Sequence, residues 1–240
     1  MNPAAGRVVV AAVLVTALAG CARTTDGSSA EDTAKSSAQA TATTQRASPS
    51  PAGSSTATSE EFTLPAYGVE STTTRALAPG ETTCEPDGAA ANTVDATGAA
   101  PGSPTAIVAM PEGFTSAPGT GDTALIMAGP DGLTGTVTIT PTTLDAAAAF
   151  QQYADQRTGQ ASINSVSVLP GDLCGYSGQK LMGILADKPG EGIDYADRIV
   201  HVWTGSGDYL IAIALQGPNG APGLDDAKSV ALADFGIRMP

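Results

Sequence analysis

Side chains that commonly bind metals are scarce in this sequence of 240 residues, which contains one histidine and three cysteines. The chain has no Cys-x-x-Cys pair and no Asp-x-Asp-x-Asp-Gly loop, the spacings that indicate zinc and calcium sites. The acidic pair Asp225-Asp226 is explained by the start of a helix, where carboxylates cap backbone N–H groups and favour the positive end of the dipole. We therefore expect no metal site and no cofactor.

Basic residues are also few, because 11 lysines and arginines face 24 aspartates and glutamates, giving a formal net charge of −13. Such a protein does not attract nucleic acid or anionic lipid headgroups through bulk electrostatics. Aromatic residues make up only 4% of the sequence and are not interleaved with basic ones. Glycine-rich phosphate-binding motifs are missing as well. We expect no nucleic-acid partner.

The apolar run near the N-terminus is too short to cross a membrane, which takes about 20 apolar residues. Arg7 precedes this run over Val8–Leu18, and the run closes on Leu18-Ala19-Gly20-Cys21. That order predicts a lipoprotein signal peptide over residues 1–20 and a lipidated Cys21; an ordinary secretory signal or an N-terminal anchor is the alternative. Because two or more acyl chains anchor a protein stably, we expect the mature chain on the outer face of the cell membrane.

The two remaining cysteines, Cys84 and Cys174, predict a disulfide, since leftover thiols outside the cytoplasm usually pair. The bridge would close a loop of about 90 residues, worth about 4–5 kcal/mol in the chain-entropy model. A free reactive thiol is the alternative, and the sequence supplies no basic neighbour that would activate it.

Composition divides the rest of the chain. Residues 21–60 are rich in serine, threonine and proline and predict a disordered tether, suited to O-glycosylation. Residues 61–102 form a partly ordered lead-in, with a loop over Ala89–Ala100, and residues 103–240 are long enough for one folded domain.

Alternating and β-branched residues in this domain predict a mainly antiparallel sheet flanked by helices, an α+β fold. One helix is expected over Leu144–Arg157, capped by Thr142 or Thr143 and stopped by Gly159. A final helix runs from a cap at Asp225 to Phe235. The expected strands are Thr105–Met110, Thr123–Ala128, Thr134–Thr140, Ser162–Leu169, Ser177–Ala186, Ile193–Trp203 and Tyr209–Leu215.

The last two strands predict a hairpin in which Val202 pairs with Ile211. One face of the hairpin then sets large side chains against small ones, either as plain core or as an apolar pocket for an acyl chain. The residues of this candidate pocket are Ile199, Trp203, Leu210, Ala212 and Ala214.

A catalytic triad is the remaining candidate, because Ser177, Asp194 and His201 occur in the order Ser, Asp, His. The motif Gly-x-Ser-x-Gly fails, since Gln179 stands where the second glycine is required, and a strand rather than a helix follows the serine. We therefore expect no enzyme, with a serine esterase as the remote alternative.

The chain resembles the LpqN/LpqT lipoproteins of mycobacteria and their relatives. The likeness rests on the lipobox, the tether and a domain from Ser103 to Pro240, and four segments within that domain correspond. They are Pro111-Glu112-Gly113-Phe114 (with Phe114 where the family usually has tryptophan), the helix over Leu144–Arg157, the strands Gly178–Gly183 and Tyr209–Leu215, and the ending Gly236-Ile237-Arg238-Met239-Pro240. The resemblance implies a PsbP-like α/β/α sandwich in an actinobacterial envelope protein.

It also implies a non-enzymatic binding or accessory role in the envelope. We expect a monomer, held at the membrane by its lipid, that binds an envelope lipid or a partner in a transport or envelope complex. A surface sensor or structural interaction protein without a small ligand is the alternative.

Overall fold

The computed structural model describes residues 67–84, 86 and 92–240. The predicted signal peptide, Cys21 and the predicted tether over residues 21–60 lie outside the described residues. Within the described part, the protein has two antiparallel sheets and two α-helices, which confirms the predicted α+β class.

The elements follow one another along the chain in the order β1 (Thr82–Thr83), β2 (Thr93–Thr97), β3 (Thr105–Ala109), β4 (Thr115–Pro118), β5 (Thr123–Ala128), β6 (Thr134–Thr142), α1 (Ala146–Thr158), β7 (Ile163–Asn164), β8 (Ser167–Pro170), β9 (Gly178–Ala186), β10 (Ile193–Trp203), β11 (Asp208–Pro218), α2 (Leu224–Ala231) and β12 (Gly236–Arg238). A 3-10 turn over Pro130–Gly132 separates β5 from β6. The smaller sheet, sheet A, has the order β1-β12-β3-β2. The larger, sheet B, has the order β4-β5-β6-β11-β10-β9-β7, and β8 also pairs with β9.

The central strands of sheet B are covered on both faces. Val200 and Val202 of β10 pack in one core with residues of sheet A and α2. Tyr195 and Ile199, which point to the opposite face of the same strand, pack in a second core with α1. Successive side chains of a strand alternate between faces, so β10 is buried almost throughout because each of its faces has a covering layer.

Helix α1 begins at a different residue from the one predicted. Asp145, not Thr142 or Thr143, is the N-cap, and its side chain accepts a 2.8 Å hydrogen bond from the backbone N–H of Ala148. Thr142 is the last residue of β6 and so is unavailable to the helix. The predicted stop at Gly159 is confirmed.

Helix α2 is shorter than predicted and its cap is also different. It follows Gly223, whose φ of +81° is accessible to glycine at little cost, and Asp225 lies in its first turn. It ends at Ala231 rather than Phe235, because the chain must turn to enter β12, where Ile237 pairs with Ala106 of β3.

Four short strands were missed and one predicted strand is divided. The loop predicted over Ala89–Ala100 contains β2, which pairs with β3 although its sequence carries only one large apolar residue, Val94. Strand β4 is fully exposed at the edge of sheet B and therefore has no apolar alternation to detect. The other two missed strands are β1 and β12, and the predicted Ser162–Leu169 strand is present as β7 and β8.

The β10–β11 hairpin is paired two residues away from the predicted register. Val202 lies opposite Tyr209 and Val200 opposite Ile211. The connecting loop begins at Thr204, whose backbone N–H donates to the carbonyl of Gly207 at 3.0 Å. A shift of two residues leaves every side chain on its predicted face, so the face assignment is unaffected.

Candidate functional site

The cysteines Cys84 and Cys174 lie at disulfide distance, with Cα atoms 5.9 Å apart and a sequence separation of 90. Both have positive φ angles, 56° and 50°, an unusual conformation for residues other than glycine. The bridge ties the N-terminal part of the described chain to the turn that precedes β9.

Residues Gly68–Thr74, called the strap, cross sheet B on the face that carries α1. The hydroxyl of Ser177 donates to the backbone carbonyl of Glu70, and the N–H of Thr73 donates to the carbonyl of Gly175 at 3.3 Å. Val69 packs against the core beneath α1. The strap is thus fixed by hydrogen bonds along its length and by the disulfide beyond its end.

His201 lies where the strap meets the start of α1. Its Nδ1 is 2.7 Å from the hydroxyl of Thr72, and its Nε2 is 3.0 Å from the carbonyl of Leu144. A carbonyl only accepts, so Nε2 carries a proton. With Nε2 as a donor, the Thr72 hydroxyl donates to Nδ1 of the neutral ring, and the same hydroxyl lies 3.0 Å from the His201 carbonyl. Both ring nitrogens of this buried side chain therefore have hydrogen-bond partners.

A cleft of about 480 Å³ lies above His201, between the strap and the first turn of α1. Three carboxylates line it, those of Glu70, Asp145 and Asp208, together with several threonine and serine hydroxyls. The complete lining is Val69, Glu70, Ser71, Thr72, Thr74, Thr143, Leu144, Asp145, Ala146, Ala147, His201 and Asp208. Its chemistry suits a polar or cationic group rather than an acyl chain.

The residues of the predicted apolar pocket are brought to the face that α1 covers. Ile199 and Ala212 are register partners, 0% and 2% exposed, and pack directly in the core beneath the helix. Trp203, Leu210 and Ala214 keep partial exposure. A ligand bound at these residues stays a prediction.

The serine, aspartate and histidine of the remote esterase alternative are not assembled. Ser177 and His201 lie opposite each other at β9 and β10, and the backbone N–H of His201 donates to the carbonyl of Ser177 at 2.9 Å. Asp194 is an odd number of residues from His201 along β10, so it points to the opposite face of the sheet. Its carboxylate accepts from Asn219 at 2.8 Å and from the backbone of Gly220 at 2.9 Å.

A buried polar cluster that was not predicted from the sequence lies beneath α1. Arg157 of α1 donates to both carboxylate oxygens of Asp197, at 3.0 and 3.4 Å, and Tyr153 donates to the same carboxylate at 3.0 Å. The Arg157 guanidinium also lies 4.7 Å from the centre of the Tyr195 ring. Tyr195 donates to the carbonyl of Ser165 at 3.0 Å.

Burial governs the ionisation of this cluster. It raises the pKa of Asp197 to about 6, against the opposing effects of Arg157 and Tyr153, and it raises the pKa of Tyr195 to about 12. The pKa of Tyr153 is raised well above its usual value by burial and by the Asp197 charge. The sequence signal that could have revealed the cluster is spacing, because Arg157 follows Phe150 by seven residues and Ala154 by three, which places it on their face of the helix.

Metal-binding groups and membrane-spanning helices are both absent from the described part of the chain. No three histidine, cysteine, aspartate or glutamate residues there are grouped so that they could hold a metal ion. No helix in residues 67–84 and 92–240 is long and apolar enough to cross a membrane.

Comparison with known proteins gives a structural neighbour and no sequence relative. No model of a known protein family matches the chain, and no curated protein matches it in sequence. Among solved structures, LpqN of Mycobacterium tuberculosis, described as involved in cell envelope biogenesis, is similar with 18% sequence identity and a TM-score of 0.47. The match covers 62% of this chain and 91% of that one. Membership of the LpqN/LpqT family stays a prediction.

Proposed function

We propose that this protein is an exported lipoprotein with a non-enzymatic binding role in the cell envelope, and that it binds through the cleft between the strap and α1. The observation that carries the proposal is the construction of that cleft. One wall is a helix packed on sheet B, and the other is the strap, held by the Ser177, Thr73 and Thr72 hydrogen bonds. A volume of about 480 Å³ lies within the range of ligand sites, about 300–1,000 Å³.

The lining favours an envelope component that carries hydroxyl or ammonium groups. Glu70, Asp145 and Asp208 supply negative charge, and hydroxyls such as that of Thr74 supply both donors and acceptors. The net charge of −13 adds an attractive field for a cationic group.

The attachment to the outer face of the membrane rests on the Leu18-Ala19-Gly20-Cys21 motif and is supported by a disulfide, which persists in oxidising compartments. Growth with a clickable palmitate analogue should label the wild-type chain and leave the Cys21→Ser variant unlabelled. The variant should also move from the membrane fraction to the medium. A labelled Cys21→Ser chain would contradict lipidation at this residue.

The binding experiment is native mass spectrometry of the full chain carrying Cys21→Ser, collected after export. A bound mass that disappears on denaturation supports the proposal. Ala147 lines the cleft and Ala148 does not, although both are exposed in the first turn of α1. Ala147→Trp should therefore remove the bound mass and the matched control Ala148→Trp should keep it. Loss in both variants, or in neither, would place the ligand elsewhere.

A protein-interaction role without a small ligand is the second candidate, and one surface feature favours it. Four apolar side chains at the β7–β9 edge of sheet B are 39–48% exposed, and the strand register places them on one face. They are Ile163, Leu169, Met182 and Ile184. Exposed apolar patches of this kind mark interaction surfaces. A chain that is purified without any bound mass would favour this candidate over the first.

A further inference from the structure

A second cleft lies at a different part of the fold, between the Pro111–Phe114 turn, the 3-10 turn at Pro130 and helix α2. Its volume is about 420 Å³. The apolar part of its lining is formed chiefly by Phe114, Leu133 and Val230, which belong to three separate segments. It shares no lining residue with the cleft at the strap, so an inference drawn from it does not depend on the proposed function.

Local backbone geometry holds the Phe114 ring in this cleft. The N–H of Phe114 donates to the carbonyl of Pro111 at 3.2 Å, and Gly113 has a φ of +77°, as the third position of a type II turn requires. A Cβ at Gly129 would lie 2.4 Å from the Phe114 ring, so only glycine leaves room for it. The ring is packed on one side and partly exposed on the other.

The rim of the cleft is acidic. Glu112 and Asp226 are exposed and line it, and Asp131 lies beside it in the 3-10 turn with a φ of 53°. The described residues that line the cleft include no lysine or arginine. Lys228 of α2 does not line the cleft, and its ammonium group is paired with Asp225 at 2.5 Å. The carboxylates of the rim are therefore not neutralised by a basic residue of the lining.

We propose that this cleft docks a peptide segment of a partner protein in which a lysine or arginine is flanked by apolar residues. An apolar side chain next to the basic residue would lie on Val230 and Pro130, the methylene stem of the basic residue would lie on Phe114, and its charge would meet Glu112 and Asp226 at the rim. An arginine gains further from stacking on the face of Phe114. The net charge of −13 steers a cationic segment toward the protein and repels acidic partners.

The test uses the full chain carrying Cys21→Ser, labelled with ¹⁵N, and three probes. Two are the peptides KLRLK and KGRGK with both termini blocked, and the third is spermine. We expect saturable amide shifts at Phe114 and Val230 with KLRLK. The KGRGK peptide has the same charges without the apolar side chains, and we expect it to bind at least fivefold more weakly. Equal binding of KGRGK or spermine would show attraction of any cation and would overturn the peptide proposal.

Charge variants locate the interaction without disturbing the core. Glu112→Gln and Asp226→Asn should each weaken KLRLK binding about two- to fivefold, in keeping with exposed ion pairs. Asp122→Asn removes the same charge from an exposed position that does not line the cleft, and it should leave the affinity within about 1.5-fold. Shifts centred on other residues, or an equal effect of all three variants, would overturn the site.

Discussion

Replacing Arg157 by methionine tests whether the cluster beneath α1 depends on its ion pair. The Nε atom of Arg157 lies 3.0 Å from Asp197, whose side chain is 0% exposed. Methionine has a similar apolar stem, so the substitution removes the charge while largely keeping the volume. Asp197 then retains only the hydrogen bond from Tyr153.

The expected loss of unfolding free energy is about 3–5 kcal/mol at pH 7, the usual result of leaving a buried charge without its partner. A Coulomb estimate agrees, because two charges 3.0 Å apart attract by about 5–6 kcal/mol at an effective dielectric constant of about 20. The free energy of unfolding of a domain of this kind is about 5–15 kcal/mol, so the loss is a large fraction of the total stability.

The loss should depend on pH. The pKa of Asp197 is raised from 3.8 to about 6 in the folded protein, so the folded state binds a proton more readily than the unfolded state between these values. The contribution of Asp197 is therefore fully present below about pH 4 and is lost as the pH rises through 6. Removing Arg157 takes away an effect that lowers this pKa and should extend the decline to higher pH.

Urea unfolding at pH 5 and pH 7, followed by the fluorescence of the single tryptophan, measures both effects. The double variant Arg157→Met/Asp197→Asn should recover much of the loss at pH 7, since no buried charge remains. Lys188→Met removes one partner of a pair that is 74% and 69% exposed and should cost less than about 1 kcal/mol. A loss below about 1 kcal/mol for Arg157→Met, or an equal loss at both pH values, would refute the reasoning.

Three other variants probe the strap, the bridge and the helix cap, each by urea unfolding. Replacing Cys84 and Cys174 together by serine should lower the free energy of unfolding by up to about 4–5 kcal/mol, because the unfolded chain regains the entropy of its closed loop. An unchanged midpoint of urea unfolding would contradict a stabilising bridge. Thr72→Val removes the hydroxyl that is hydrogen-bonded to His201, so it should lower the free energy of unfolding by about 1–3 kcal/mol and speed amide exchange along the strap. Amide exchange equal to that of the wild type would contradict an anchoring role for Thr72. Asp145→Ala should cost about 1 kcal/mol, whereas Asp145→Ser should cost little, and equal losses would argue against capping.

The fold was predictable where a pattern repeats over enough residues to be read. Both ends of strand β10 were predicted correctly, and the alternation of Val137 and Ile139 with threonines located β6. Strands β1 and β12 contain two and three residues, too few for any periodicity, and they exist because their backbones complete sheet A. Their positions are set by long-range pairing rather than by local preference.

The candidate sites were harder to predict for a related reason. The strap and its contact with His201 join residues 129 positions apart, which no local pattern encodes. The Arg157–Asp197 pair joins a helix to a strand 40 residues later, and each residue alone has the character of an ordinary surface charge. The disulfide could be predicted from the sequence because only two cysteines remain besides Cys21, so each has one possible partner.

The disulfide also determines how the protein would respond to being pulled. A force applied between the two ends of the chain passes from Cys84 directly to Cys174 and does not load the residues between them. Strands β2 to β8 and helix α1 all lie in this bypassed segment. At about 3.3–3.6 Å per residue, the bridge withholds about 300 Å of extension, which only a reductant would release. If the chain is anchored through Cys21, as we propose, a force on that anchor would load β9, β10 and β11 but not the elements between the two cysteines.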